Sequence, residues 1–452
     1  MGLRRIVAAL SFSLVGCSLI IDVPADCEDV ACAPYVCDSS NVACEESCAV
    51  DTDCVPGFVC SAAGAECVAA GCEPIGDAVL LQETPSEIDD FAVAIGGNAE
   101  QIVVALAQQS GLGLLRFVDT GARIQDVVDP TLGAVRLAPA NDDLTPFEPI
   151  ATAREIDGVW TIDFSWRANA AGRDQAVIAS FDPAGTDPPA VILAHRANER
   201  TLVDEQHVLR VGTNRIALWR QTVGQGALVL SGVVTPNQVV VERDVSPNNT
   251  SALSLDAAAV AELGLAVTPI VIDGRERLDI LIVDELGAPV GTARLQPEMP
   301  EQQVTISHVE VESDGVSRWA AVWSSETDGT EFRALTLSAE EAQALRGAEG
   351  TVLASVAVGR DYEDVDGVDI ALWNDQLFVA WEGRRLEQSD VWIARYRNDG
   401  QPRFAPFSAV GERGVAVDGI ELLSSERGVD LVWRERSDAG DALYLRRYAC
   451  LP

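Results

Sequence analysis

Lysine is absent from this chain, and histidine is confined to His195, His207 and His308. All other positive side-chain charge is therefore carried by arginine. With 32 basic against 70 acidic residues, the formal net charge is −38. So acidic a chain lacks the cationic surface that neutralises phosphates, which excludes nucleic-acid binding and electrostatic docking to anionic lipid. The histidines stand in no Ser-His, His-Tyr or nucleophile-elbow context, so lyase or hydrolase chemistry of those kinds has no support here. No C-x-x-C pair occurs, no zinc site is expected, and no cofactor is indicated. What is present is folded-protein material, 48% hydrophobic and 23% charged, enough to bury a large core.

The first residues read as a targeting segment. Arg4 and Arg5 form a charged start, Ile6 to Val15 a short apolar stretch, too short to span a bilayer. Leu14-Val15-Gly16-Cys17 follows. This arrangement resembles the lipobox signal of bacterial lipoproteins. The resemblance implies removal of residues 1–16, acylation of Cys17 and attachment to the membrane through that lipid. Ser18 after the cysteine implies transfer to the outer membrane. Residues 17–26 make a short tether.

Nine cysteines crowd residues 27–72, spaced by three to six residues. In an exported chain that density reads as a disulfide-rich module. Within it CAVDTDCVPGFVC (48–60) is similar to small cysteine-rich repeats of secreted myxobacterial proteins. Asp51 and Asp53 read as turn residues, since calcium asks for six to eight oxygens. With Cys17 acylated, ten cysteines remain and nine cannot pair among themselves. The odd one either stays free or reaches Cys450, the third residue from the end. Cys72, the last of the group, stands just before the repeats begin, and a Cys72–Cys450 bond is expected.

From residue 75 to 450 one plan recurs seven times: a short apolar run, a polar loop with arginine, a second apolar run and a turn. The tryptophans that close the first run fall at 166, 219, 323, 381 and 433, and Val271 is taken to stand for the missing one in the fourth unit. Units of about fifty residues, each a three- or four-stranded antiparallel meander, arranged radially make an all-β, seven-bladed β-propeller. The apolar run DAVLLQ (77–82) is available to complete the last blade. The repeat motif resembles that of propellers in secreted bacterial proteins, whereas kelch, WD40 and sialidase Asp-box signatures do not fit.

Arginines follow the tryptophan runs, and Arg167, Arg220, Arg275, Arg384 and Arg434 form a candidate ligand rim suited to an anionic glycan or acidic peptide. Acidic neighbours make repeated structural ion pairs the plainer reading. DYEDVDG (361–367) is the densest carboxylate run and reads as a solvated loop, not a calcium site. His207 and His308 fall on expected innermost strands. The sequence leads to a lipid-anchored, non-enzymatic binding or scaffold module of the outer membrane, with a protein or anionic glycan as partner. The alternative is a carbohydrate-active enzyme with its site at the propeller mouth. An enzyme should gather carboxylates from several blades; a binder should show an apolar or arginine-rimmed depression.

Overall fold

The computed structural model describes residues 37–38, 43–44, 47, 58–60, 67–69, 71–84, 87–96, 101–108, 111–119, 124–126, 135–136, 145–156, 159–170, 173–181, 190–196, 201–224, 226–236, 238–246, 251–272, 275–295, 305–326, 330–385, 388–397, 400, 402–411, 416–425 and 428–450. Cys17, its lipobox and the tether lie outside them. The chain divides into two units, Met1–Ala69 and Ala70–Pro452. In the first, two small antiparallel pairs are described, with Cys37 opposite Cys44 and Cys60 opposite Cys67. No described helix is long and apolar enough to cross a membrane.

The second unit is a β-propeller. Among the described residues its strands form six continuous sheets rather than seven separate ones, because one sheet has seven strands. Strand Val356–Trp373 is 18 residues long; its first part pairs with Thr330–Ser338 and its second part with Gln376–Arg385. It therefore ends one meander and begins the next. The meanders number seven, and they are called blades one to seven below, with blades five and six fused through this strand.

Ring closure is visible in the packing. The innermost strands, from Asp90–Gly96 of blade one to Ala416–Ser425 of blade seven, each pack against the next, and the last packs against the first. The buried apolar side chains among the described residues fall into seven clusters, each shared mainly by two neighbouring blades. The second strand of each blade lies between two such clusters, and so reads as a continuous apolar run: Leu263 to Ile270 is buried at every position. Third strands flank only the blade margins and alternate, as in Gly440–Cys450.

Tryptophans 166, 219, 323, 381 and 433 are all buried in these walls. The register corrects one expectation. In blade four the tryptophan position, five residues after the second strand begins, belongs to Thr268, while Val271 is 37% exposed. Thr268 is fully buried and donates its hydroxyl to the Ser254 carbonyl at 2.7 Å. A polar side chain thus replaces the indole with its hydrogen bond met.

The last blade is completed from the other end of the unit. Val79–Thr84 pairs antiparallel with Gly440–Cys450, and Cys72–Pro74 pairs with the far end of the same strand. Cys72 is disulfide-bonded to Cys450, with Cα atoms 4.2 Å apart. By backbone pairing Cys72 joins the last blade. Asp441 accepts from the Ile88 amide at 2.8 Å, adding a second tie.

Blade five sends out an arm. After Thr330–Ser338 the chain makes a short helix, Ala339–Ala344, capped by Ser338 and Glu341 in a capping box. Strand Glu349–Leu353 follows and adds itself, parallel, to Pro289–Leu295 of blade four. The approach is close at Gly291, where an added Cβ would stand 2.3 Å from the Leu345 carbonyl oxygen.

Candidate functional site

Side chains from all seven innermost strands line one central cavity of about 1190 Å³. What it contains follows from the sheet register. In blades three to seven, the residue opposite the one preceding the tryptophan position is His207, Asp256, Glu310, Asp369 and Glu421 in turn. The equivalent place in blade two is Ile150. Five successive blades thus project an ionisable group at one level, and Glu312 adds another carboxyl two residues further along.

Local backbone geometry aims these groups. The innermost strands of blades two, three, five, six and seven all carry a register shift just ahead of this level, and a bulge re-aims the side chains that follow it. In blades three and five the bulge holds Glu205 at φ 42° and His308 at φ 47°, a conformation costly for residues other than glycine. Both line the cavity.

Hydrogen bonds then tie each aspartate to the neighbouring blade. Asp256 accepts from the Ala257 amide at 2.7 Å and from the Val311 amide of blade five. Asp369 accepts from the Ile370 amide at 2.7 Å and from the Leu422 amide of blade seven. The plan is the same at both junctions. His207 lies 3.3 Å from Asp256 through Nδ1 and 3.0 Å from the Leu255 carbonyl through Nε2.

Burial dominates the electrostatics. It pushes the Glu312 carboxyl up to about 8, with the Asp369 charge adding to the effect. Asp369 is pushed up to about 7 by burial, against the opposing pull of the Leu422 and Ile370 amides. Burial raises Asp256 despite the favourable field of His207. Glu310 and Glu421 stand well above the usual carboxylate range through burial and through neighbouring acids. At neutral pH the cavity is therefore a partly protonated acid surface, able both to donate and to accept hydrogen bonds. Among the described residues no group of three or more His, Cys, Asp or Glu side chains has the geometry to hold a metal ion.

The arginines of the expected rim are placed differently. Arg167, Arg220 and Arg434 each follow the tryptophan of their blade, so they occupy one equivalent position. Arg220 pairs with Asp204 at 3.1 Å and Glu205 at 3.3 Å, and donates to the Ala252 carbonyl. Arg434 is 4% exposed, pairs with Asp418 at 3.0 Å and donates to the Ile88 carbonyl. Arg275 lies exposed at the start of a third strand and Arg167 is half-buried. The Arg384 side chain lies outside the described residues, as do those of His195 and of the DYEDVDG carboxylates.

Sequence inspection singled out that exposed-looking run and passed over the acids of the cavity. A signal was present. His207, Asp256, Asp369 and Glu421 each precede their tryptophan position by 12 residues (219 − 207, 268 − 256, 381 − 369, 433 − 421), and Glu310 precedes Trp323 by 13.

No protein-family model matches the chain, and no curated protein matches it. Among solved structures it is similar to a protein of unknown function from Dyadobacter fermentans, at 10% identity over 69% of this chain and 96% of that one, with a TM-score of 0.44. It is also similar to the polysaccharide lyase Uly1, at 8% identity over 81% and 90% with a TM-score of 0.47. A third is Trypanosoma rangeli sialidase in complex with the inhibitor DANA, at 8% over 82% and 59% with a TM-score of 0.41. Likenesses this distant transfer no activity to this chain.

Proposed function

We propose that this protein is a non-enzymatic glycan-binding module of the cell envelope, anchored to the outer membrane by lipid on Cys17, with its ligand seated in the central cavity. The observation that carries the reading is the convergence of ionisable side chains from five successive blades on one cavity of about 1190 Å³. Acids that share protons offer both donors and acceptors, which suits a surface rich in hydroxyl or amino groups. A carboxylated glycan is disfavoured there, because each of its charges would meet buried acids. Of the described rim arginines, Arg220 and Arg434 are already engaged in ion pairs.

Calorimetric titration with neutral, amino-substituted and carboxylated oligosaccharides tests this. Binding of the first two classes is expected, and Glu312→Ala should weaken it by about 10- to 100-fold, the effect of losing one hydrogen bond to an ionisable group. Binding of the carboxylated class alone would sink it. For the anchor, Cys17→Ser should shift the protein from the membrane to the soluble fraction, read by fractionation and intact mass.

A second reading, a carbohydrate-active enzyme, is favoured by the same gathering of carboxyls from four blades, with His207 against Asp256. Release of new reducing or unsaturated ends from a bound glycan, abolished in Asp256→Asn, would decide for it.

A further inference from the structure

Charge is unevenly distributed around the cavity. Blades five, six and seven bring Glu310, Glu312, Asp314, Asp369 and Glu421 to its lining. Blade two brings Pro149, Ile150, Ala151, Thr152 and Ala153, with no charge among them. Ile150 holds the place that ionisable groups hold in the five blades that follow. Ile95 of blade one continues the apolar sector. Ile95, Ile150, Ala151 and Ala153 are each only half-buried, which leaves aliphatic surface facing the cavity. Asp90, the acid of blade one, acts on Glu421 of blade seven and so belongs to the charged side.

In a closed ring of seven, blade two stands opposite blades five and six. An occupant therefore meets an aliphatic wall on one side and carboxyls on the other. Covering the wall is favourable by about 25 cal/mol per Å², and a pocket that sets a few convergent polar groups against apolar surface fixes the orientation of what it holds. Burial, and after it the charges of neighbouring acids, keep the Glu310, Glu312 and Glu421 carboxyls above the usual range. An ammonium among them cancels that repulsion, whereas a hydroxyl brings only a dipole. The chain contains no lysine, so a second copy offers no side-chain amine to this cavity.

We propose that the cavity selects sugars with a free amine: the Ile150 wall of blade two receives the apolar C–H face of the sugar ring, and Glu310, Glu312 and Asp369 opposite receive its ammonium edge. A pyranose ring has the required two-sidedness, with C–H groups on its faces and polar substituents at its edge. N-acetylation removes the charge and places an apolar methyl against the carboxyls, so the acetylated sugar loses the contact that the acid side provides. The inference rests on the reading of the cavity as a glycan site and narrows its ligand class.

The test uses the full chain and needs no variant to decide. A glucosamine trisaccharide, its N-acetylated counterpart and the glucose trisaccharide of the same linkage are titrated calorimetrically in mildly acidic buffer, which keeps the amine charged. The free amine should bind about 10-fold or more tightly than either other sugar, the effect of one charge-assisted hydrogen bond. Equal binding of all three, or preference for the acetylated sugar, overturns the selectivity and leaves the glycan site standing. Binding of none refutes the glycan site and this inference with it. A lysine tripeptide, which has the amine without the ring, should bind at least 10-fold more weakly than the amino sugar; equal affinity would overturn the role of the apolar wall. Two variants then locate the two sides. Ile150→Ser should weaken the amino and the neutral sugar alike, by about 10-fold, and Glu310→Gln with Glu312→Gln should bring the two affinities together. A double variant that keeps the full preference would refute the placement of the amine.

Discussion

Replacing Cys450 with serine is expected to lower the stability of the propeller by about 3–6 kcal/mol, the upper figure being that of the loop-entropy model for so long a loop. The bond spans 378 residues of sequence. Its loss leaves the last blade held by backbone pairing with Cys72–Pro74 and Val79–Thr84, by the Asp441 contact to the Ile88 amide and by Arg434 donating to the Ile88 carbonyl. Those ties are non-covalent and lie on two strands of one blade, so the ring should open at this seam before any other. Equilibrium denaturation by urea, with and without a reductant, reads the effect. Reduced wild type and Cys450→Ser should share one midpoint, and a variant as stable as the oxidised wild type would show that strand pairing alone closes the ring.

Replacing Trp381 with alanine should cost about 3–5 kcal/mol, the range for emptying a buried aromatic site. Trp381 is fully buried in the wall between blades five and six, with the Phe332 ring centroid 5.4 Å away and tilted by 52°. Blades five and six already share a strand, which limits how far the wall can collapse into the vacated space. A loss under about 1 kcal/mol would mean that the wall does collapse. Thr268→Ala makes the contrast, since a small side chain leaves a small void and one carbonyl unmet; about 1–2 kcal/mol is expected.

The repeat architecture was legible because a strand walled in on both faces is apolar along most of its length, and an indole in five of the seven blades leaves a period. Blade four, which lacks the indole, was mis-registered for the same reason: nothing in LAVTPIVID distinguishes Thr268 from Val271 until the strand is paired. The fusion of blades five and six was not legible, since a long strand shared by two sheets has the composition of two short ones. The cavity acids were missed through a different cause. Asp369 and Glu421 sit inside apolar stretches where a charge reads as solvent-facing, and only their fixed distance from the tryptophan position shows that they turn inward together. Conversely, arginines that follow the tryptophan strand in most blades suggested a shared rim, whereas Arg220 and Arg434 are held by acids of their own blades.

The order in which the chain is made gives the closing strand a further significance. Val79–Thr84 leaves the ribosome before any blade is complete, yet its partner, Gly440–Cys450, is the last strand of the unit. A contact of such sequence separation is slow to find. For that whole interval an apolar segment keeps both its edges unpaired, which is the condition under which strands join the wrong neighbour. The step that makes the ring permanent is thus also the step at which it is most exposed to misassembly.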